Sequence, residues 1–244
     1  MLDLALAPGW LLLAAATSLV AGTLRGLTGF GGALVLVPVL SAIESPQVAV
    51  PVLFIIDICA AMPLVPAAAR RCVWRELLPL CIGGIIATPL GVLILEVIEP
   101  DLLRRIAALL IMVLVVVMAA GWRYRKPASP RASMAVGGVS GLMGGAIGLN
   151  GPPVILFWLG GRHDVGTVRA NVIVYFGIMD TTAIIVFWLN GLFTRPVLSL
   201  ALVLLPLYAL GLGLGSHGFR FASERTFRRL ALVVIALAAL TSFV

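Results

Sequence analysis

Three charged side chains stand inside stretches of this chain that are otherwise apolar: Arg25, Asp57 and Asp180. A charge at the centre of a bilayer costs about 2.5–3.5 kcal/mol on insertion scales, so one kept there faces a partner, a wet cavity or a transported ion. Arg25 could supply positive charge to a bound anion. Asp57 and Asp180 would repel an anion unless protonated, which points to proton coupling or another intramembrane polar role. Plainer alternatives stay open. Arg25 could lie near an interface and snorkel to the headgroups. Either carboxylate could make a structural hydrogen bond, or an ion pair with Arg25.

Beside these charges lie two glycine-rich runs. The first is Gly26-Leu27-Thr28-Gly29-Phe30-Gly31-Gly32, followed by Pro38. The second extends from Gly141 through Gly144, Gly145, Gly148, Leu149, Asn150 and Gly151 to Pro152 and Pro153. Each glycine weakens a helix by ~1 kcal/mol relative to alanine, and irregular backbone at membrane depth is tolerated only inside protein or along a wet cavity. A helix restarting after such a break presents free N–H groups and the positive end of its dipole, which together bind anions. Pro152 suits the first turn of a restarted helix because it has no N–H to orphan. Asn150 could cap that helix or contact a ligand directly. The candidate substrate-binding set is therefore Arg25, Gly29, Phe30, Gly31, Gly32, Gly148, Asn150, Gly151, Pro152 and, facing the interior, Asn171. The alternative for both runs is close helix packing of the small-xxx-small kind.

The elements that must position these residues are membrane helices. Of 244 residues 61% are hydrophobic and 11% charged, too few charges for the polar skin of a soluble domain, which would carry about 60 at this size. Residues 4–24, 77–95, 132–161 and 196–219 hold no Asp, Glu, Lys or Arg, and about 20 apolar residues suffice to span a bilayer. Eight segments are expected: 9–41, 47–68, 77–97, 102–121, 132–160, 168–189, 196–216 and 225–244. Those at 9–41 and 132–160 are overlong and glycine-rich, and are expected to be broken.

An internal repeat relates them. A shift of 115 residues places Gly22, Gly26, Leu27, Gly29 and Pro38 on Gly137, Gly141, Leu142, Gly144 and Pro153. Asp57 matches Asp180 at a shift of 123, and Gly91, Arg104 and Arg105 match Gly215, Arg228 and Arg229 at 124. The chain thus reads as an all-α membrane protein with a first repeat at 1–122, a basic proline-containing linker at 123–131 and a second repeat at 132–244. Paired broken segments in two halves are a sequence pointer to a transporter's binding site. Eight simple crossings divide the basic loop residues evenly between the two faces, so the positive-inside rule leaves orientation unassigned.

The net charge of +7 arises mostly from arginines between apolar runs, without the aromatic-interleaved basic stripe of a nucleic-acid surface. Cys59, Cys72 and Cys81 are odd in number and lack C-x-x-C spacing, which argues against a disulfide framework or metal site. His163-Asp164 has no matching nucleophile, and no zinc-enzyme pattern is present, so neither an enzyme nor a cofactor is expected. Expected partners are the lipid bilayer, a small anionic substrate and protons; a homo-oligomer is not predicted.

Gly22-Thr23-Leu24-Arg25-Gly26-Leu27-Thr28-Gly29-Phe30-Gly31-Gly32-Ala33-Leu34, continuing to Pro38, resembles the first signature of the TauE/SafE sulfite exporter family (TSUP permeases). Gly141 to Pro153 with Val154-Ile155-Leu156 resembles the second. The resemblance covers nearly the whole chain. It implies a multi-pass permease of the bacterial inner membrane whose substrates are sulfur-containing anions such as sulfite and organosulfonates, often exported. The expected function is a secondary transporter for a small anion, possible proton coupling included. A passive channel and a non-transporting assembly protein remain the alternatives.

Overall fold

The computed structural model describes residues 8–119, 129–159 and 164–218. Ten α-helices and one 3₁₀ turn form these residues, with no strand among them. The expected span 225–244 and most of the linker 123–131 lie outside the described residues.

The first overlong apolar run is two helices. α1 (Pro8–Thr28) ends where Gly29 and Gly31 adopt φ values of +81° and +94°, a left-handed conformation open to glycine without steric cost. The backbone N–H of Phe30 donates to Thr28 Oγ1 at 3.2 Å. α2 (Gly32–Ile43) then turns back: a Cβ on Gly32 would lie 3.1 Å from the Ala21 carbonyl, whereas residues 21 and 32 of one straight helix would be ~16 Å apart. The second overlong run behaves likewise. α7 (Pro130–Ile147) stops at Gly148, with φ +72°, and α8 (Gly151–Leu159) follows. There Ser140 in α7 donates its hydroxyl to the Asn150 carbonyl.

α3 (Pro46–Ala61), a 3₁₀ turn (Met62–Leu64) and α4 (Val65–Ala69) continue the first hairpin, followed by α5 (Trp74–Val97) and α6 (Pro100–Ala119). α9 (Val165–Leu189) and α10 (Arg195–Gly218) follow the second. Pro46 and Pro130 occupy first-turn positions, where the missing N–H costs nothing. Asp164 caps α9 by accepting from the Thr167 N–H at 3.1 Å, and these hydrogen bonds from Thr167 hold its carboxyl below the usual carboxylate range.

Contacts between the ends define the topology. Arg104 donates to the Glu44 carbonyl at 3.2 Å, and Gln47 Nε2 donates to the Leu95 carbonyl at 3.1 Å. The end of α2, the start of α3, the end of α5 and the start of α6 therefore share one end of the bundle. At the opposite end the Val73 N–H donates to Asn171 Oδ1 at 2.8 Å, and Arg70 and Arg71 border the same cavity as Gly166 and Arg169. α7 runs parallel to α5 from that opposite end, and α10 runs parallel to α1. The α1–α2 hairpin thus enters from the first end and the α7–α8 hairpin from the second.

This grouping changes the charge tally. Eight simple crossings would place 162–169 with 104–105; the structure places 164–169 with 70–75. Among the described residues, Arg70, Arg71, Arg75, Arg131 and Arg169 gather at the second end. Arg104, Arg105 and Arg195 mark the first end. Among the described residues the basic side chains are therefore divided unevenly between the two ends.

Glycines let two helix pairs approach backbone to backbone. A Cβ on Gly22 would lie 2.1 Å from the Tyr208 carbonyl in the α1–α10 seam, and one on Gly137 would lie 1.9 Å from the Leu80 carbonyl in the α5–α7 seam. Leu80 and Tyr208 thus take corresponding places, one helical turn from the register that aligns Gly91 with Gly215. Among the described residues, five helical stretches are long and apolar enough to cross a membrane: Gly9–Thr28, Pro46–Ala69, Trp74–Val97, Gly166–Leu189 and Arg195–Gly218. Their outer faces expose Ile86, Leu90, Leu202 and Leu214, side chains suited to lipid.

Candidate functional site

The two hairpins bring the starts of α2 and α8 to one small internal cavity. Gly31 and Gly32 line it from one side, and Asn150, Gly151 and Pro152 from the other. α3 contributes Asp57, α9 contributes Phe176 and Asp180, α10 contributes Tyr208, and the last turn of α1 contributes Arg25. Both helix starts therefore border the same space with their positive dipole ends, with a guanidinium beside them. That combination favours an anion. In the first turn of α8 only Gly151 carries an N–H, since Pro152 and Pro153 have none.

Arg25 is 4% exposed, and its Nε lies 2.9 and 3.0 Å from the two carboxylate oxygens of Asp57. One Nη donates to the Gly29 carbonyl, so the guanidinium also secures the turn between α1 and α2. Its carbon lies 4.3 Å from the centre of the Phe176 ring, within the range of a cation–π contact. Tyr208 donates its hydroxyl to Asp57 Oδ1 at 2.7 Å. Asp57 is thus held by Arg25 and Tyr208 together. The ion pair with Arg25, one of the plainer alternatives for this carboxylate, is what the structure contains.

Asp180 is equally buried, at 2% exposure, but forms no ion pair among the described residues. It stands beside Asp57 and the Asn150 amide, whose nitrogen makes no hydrogen bond of ordinary geometry. Behind Asn150, Tyr175 donates to Ser140 Oγ at 2.8 Å, and Ser140 donates to the Asn150 carbonyl. The start of α8 is therefore held by a chain of neutral hydroxyls.

The cavity measures about 20 Å³, room for about one water. A four-heavy-atom oxyanion does not fit without movement of the hairpin tips. Two larger spaces flank the bundle. One of about 560 Å³ is bordered by α2 and α6 and reaches Ile147 and Leu149; Leu149 also borders the central cavity. The other, about 490 Å³, lies at the basic end between α4 and α9.

Of the residues singled out from sequence, Arg25, Gly31, Gly32, Asp57, Asn150, Gly151, Pro152 and Asp180 border the central cavity. Gly29, Phe30, Gly148 and Asn171 do not. Gly29 backs onto Arg169, Phe30 is buried against Gly151, and Gly148 faces Val37 and Leu53. Asn171 spends its carbonyl on the Val73 N–H and pins the start of α5. Sequence reasoning missed Tyr208, Phe176, Ser140 and Tyr175. A tyrosine within the charge-free run 196–219 was the available signal for Tyr208, since a buried phenol requires a partner. No three His, Cys, Asp or Glu side chains among the described residues gather as metal ligands would.

The family described as Sulfite exporter TauE/SafE matches residues 14–242. No curated protein and no solved structure matches the chain.

Proposed function

Because the chain belongs to the Sulfite exporter TauE/SafE family, a family of membrane transporters, we propose that it is a secondary transporter of a small sulfur oxyanion such as sulfite or an organosulfonate. It is a multi-pass membrane protein, and the bacterial inner membrane is the location we assign to it. The observation that carries the reading is the convergence of two helix starts and Arg25 on one cavity. The N–H groups at Gly32 and Gly151 would hold the oxyanion, and Arg25 would supply fixed positive charge.

The halves act as two four-segment repeats of opposite orientation, each opening with a glycine-broken hairpin that does not cross. The exchanged pairing of α1 with α10 and α5 with α7 supports this, because each seam joins one half to the other. Inverted repeats around a midplane site suit alternating access by rocking one half against the other. A cavity of about 20 Å³ supports a carrier over an open channel. The end bearing Arg70, Arg71 and Arg75 faces the cytoplasm by the positive-inside rule.

A proton accompanies the anion. With all three groups ionised, Arg25, Asp57 and Asp180 sum to −1, so a further anion enters an already negative site. A proton on Asp180, the carboxylate without the arginine, offsets that charge. The role first considered for both carboxylates thus falls to Asp180, with Asp57 as the arginine's fixed partner. No catalytic step is assigned.

The test is flux in proteoliposomes with sulfite, sulfate and a small organosulfonate under two opposed pH gradients. Uphill accumulation of one of these anions that follows the pH gradient is the expected result. Gly31→Leu and Gly151→Leu should abolish it while leaving membrane insertion intact. Asp180→Asn should lose gradient-driven accumulation but retain exchange. Flux that only equilibrates, or wild-type rates in both glycine variants, would overturn the proposal.

A further inference from the structure

The basin of about 490 Å³ at the basic end is bordered by nine residues, three of them arginines: Arg70, Arg71 and Arg169. No carboxylate is among the described residues that border it. The nearest acid in sequence, Asp164, is occupied as the cap of α9, where it takes hydrogen bonds from the Thr167 N–H at 3.1 Å and the Thr167 hydroxyl at 2.5 Å. The rest of the lining is small or apolar, from Leu64, Ala67, Ala68, Gly166, Ala170 and Ile173. Gly166 and Arg169 belong to the first turns of α9, so its positive dipole end adds to the three guanidinium groups. Unlike the central cavity, this space admits a sulfite-sized anion without rearrangement.

Arg169 joins the two sites. One Nη donates to the Gly26 carbonyl at 2.8 Å, and its Cγ lies 3.4 Å from where a Cβ on Gly29 would be. Arg25 holds the Gly29 carbonyl from the cavity side. The four-residue turn from Gly26 to Gly29 is therefore clamped by two arginines, one facing each space.

We infer that this basin is a second anion site, a loading site that takes a small sulfur oxyanion from the cytoplasmic end and draws on Arg169 to free the tip of the α1–α2 hairpin. The inference rests on the transport reading for its substrate, but binding in the basin is measurable without transport. A lipid phosphate offers the same oxyanion chemistry, so the experiment separates the two sources.

Ala67 is exposed and borders the basin. Ala67→Cys, with Cys59, Cys72 and Cys81 replaced by serine, is reacted with a sulfonate-bearing and an ammonium-bearing methanethiosulfonate of similar size. The protein is held in nanodiscs of neutral phosphatidylcholine or of anionic phosphatidylglycerol. The sulfonate reagent should react at least about tenfold faster than the ammonium reagent, as a positively charged concavity requires. Arg169→Gln and the exposed Arg71→Gln should each lower that ratio. Sulfate, which does not attack the reagent, should slow the sulfonate reaction saturably in the neutral discs. A ratio near one, or no effect of sulfate, overturns the site. Protection by the anionic lipid alone, with none from sulfate, overturns the loading role. Absent flux with intact sulfate protection would reject the transport reading and leave the basin standing; normal flux without protection would do the reverse.

Discussion

The two helical hairpins, 8–43 and 130–159, have similar backbones and different polar chemistry. Each reverses at left-handed glycines and restarts a helix at the same cavity. In the first, the residue beside the break is Arg25, which binds the Gly29 carbonyl and pairs with Asp57. At the matched position of the second, Ser140 binds the Asn150 carbonyl and takes a hydrogen bond from Tyr175. One tip is held by charge and the other by hydroxyls. In the transport reading proposed above, the fixed positive charge of the central site thus comes from the first hairpin alone. The asymmetry also separates the carboxylates, since Asp57 has the arginine and Asp180 does not.

The widest test of that comparison removes the charge from one hairpin and the hydroxyl from the other. Arg25→Leu leaves Asp57 buried and uncompensated, and breaking a buried pair costs about 3–5 kcal/mol. Ser140→Ala should cost about 1 kcal/mol, the scale of a neutral hydrogen bond. The double replacement Arg25→Met with Asp57→Leu should recover most of the stability while abolishing transport. Unfolding of the detergent-solubilised protein measures all three. Equal losses for Arg25→Leu and Ser140→Ala would mean that the hairpins are held alike.

Gly137→Ala places a methyl 1.9 Å from the Leu80 carbonyl, and Gly22→Ala one 2.1 Å from the Tyr208 carbonyl. Both should destabilise by roughly 3 kcal/mol, the upper part of the overpacking range, because backbone rather than a side chain must move. Gly138 and Gly213 are internal controls: a Cβ on Gly138 finds only a carbonyl at 3.8 Å, and one on Gly213 finds nothing within 4 Å. Alanine at either should be neutral or stabilise by up to about 1 kcal/mol through helix propensity. A large loss in one seam alone would show that the halves are unequally packed.

Much of this was legible in the sequence, for identifiable reasons. Glycine density pointed to two uses at once: α1 and α7 end beside Gly29 and Gly148, while Gly22, Gly137 and Gly141 stay within the helices and pack against a neighbouring backbone, the close-packing alternative. Arg25, Asp57 and Asp180 stood out because charge is costly in lipid. The direction in which α2 and α8 leave their turns was not legible. Two glycines with positive φ permit a reversal or a bend equally, and only the approach of Gly32 to Ala21 decides it. Asn171 illustrates a different limit: a polar residue within an apolar helix signals that it has a partner, without saying whether the partner is a substrate or the backbone of Val73. Tyr208 and Tyr175 were hidden because a tyrosine in a membrane helix is inexpensive until its hydroxyl is buried.

Those two tyrosines compare the tips at a finer scale. Tyr208 donates to a carboxylate and Tyr175 to a serine hydroxyl, at 2.7 and 2.8 Å. Hydrogen bonds to charged groups are worth about 1.5–3 kcal/mol and neutral ones about 1. Tyr208→Phe should therefore be the more destabilising, and it alone should change the pH dependence of transport, because it loosens Asp57 beside Asp180. Transport assays across pH, with unfolding measured in parallel, check both halves of this statement.

The smallest effect lies where each hairpin passes into the next helix. Asp164 caps α9 with its side chain, whereas Ser45, the corresponding residue before α3, makes no such bond and relies on Pro46. Asp164→Ala should lower the melting temperature modestly, and Ser45→Ala should leave it unchanged. The pH sign follows from the depressed carboxyl of Asp164, whose cause is its hydrogen bonds from Thr167. A group with a folded value below its unfolded value contributes stability above the unfolded value, about 3.9 for Asp. That contribution disappears as pH falls through the folded value. The difference between wild type and Asp164→Ala should thus be constant from about pH 7 down to about pH 5 and shrink toward about pH 3. A difference that persisted at the lowest pH would assign the cap to the shape of the side chain and remove charge from this junction, leaving Arg25 and its carboxylate partner as the main electrostatic distinction between the halves.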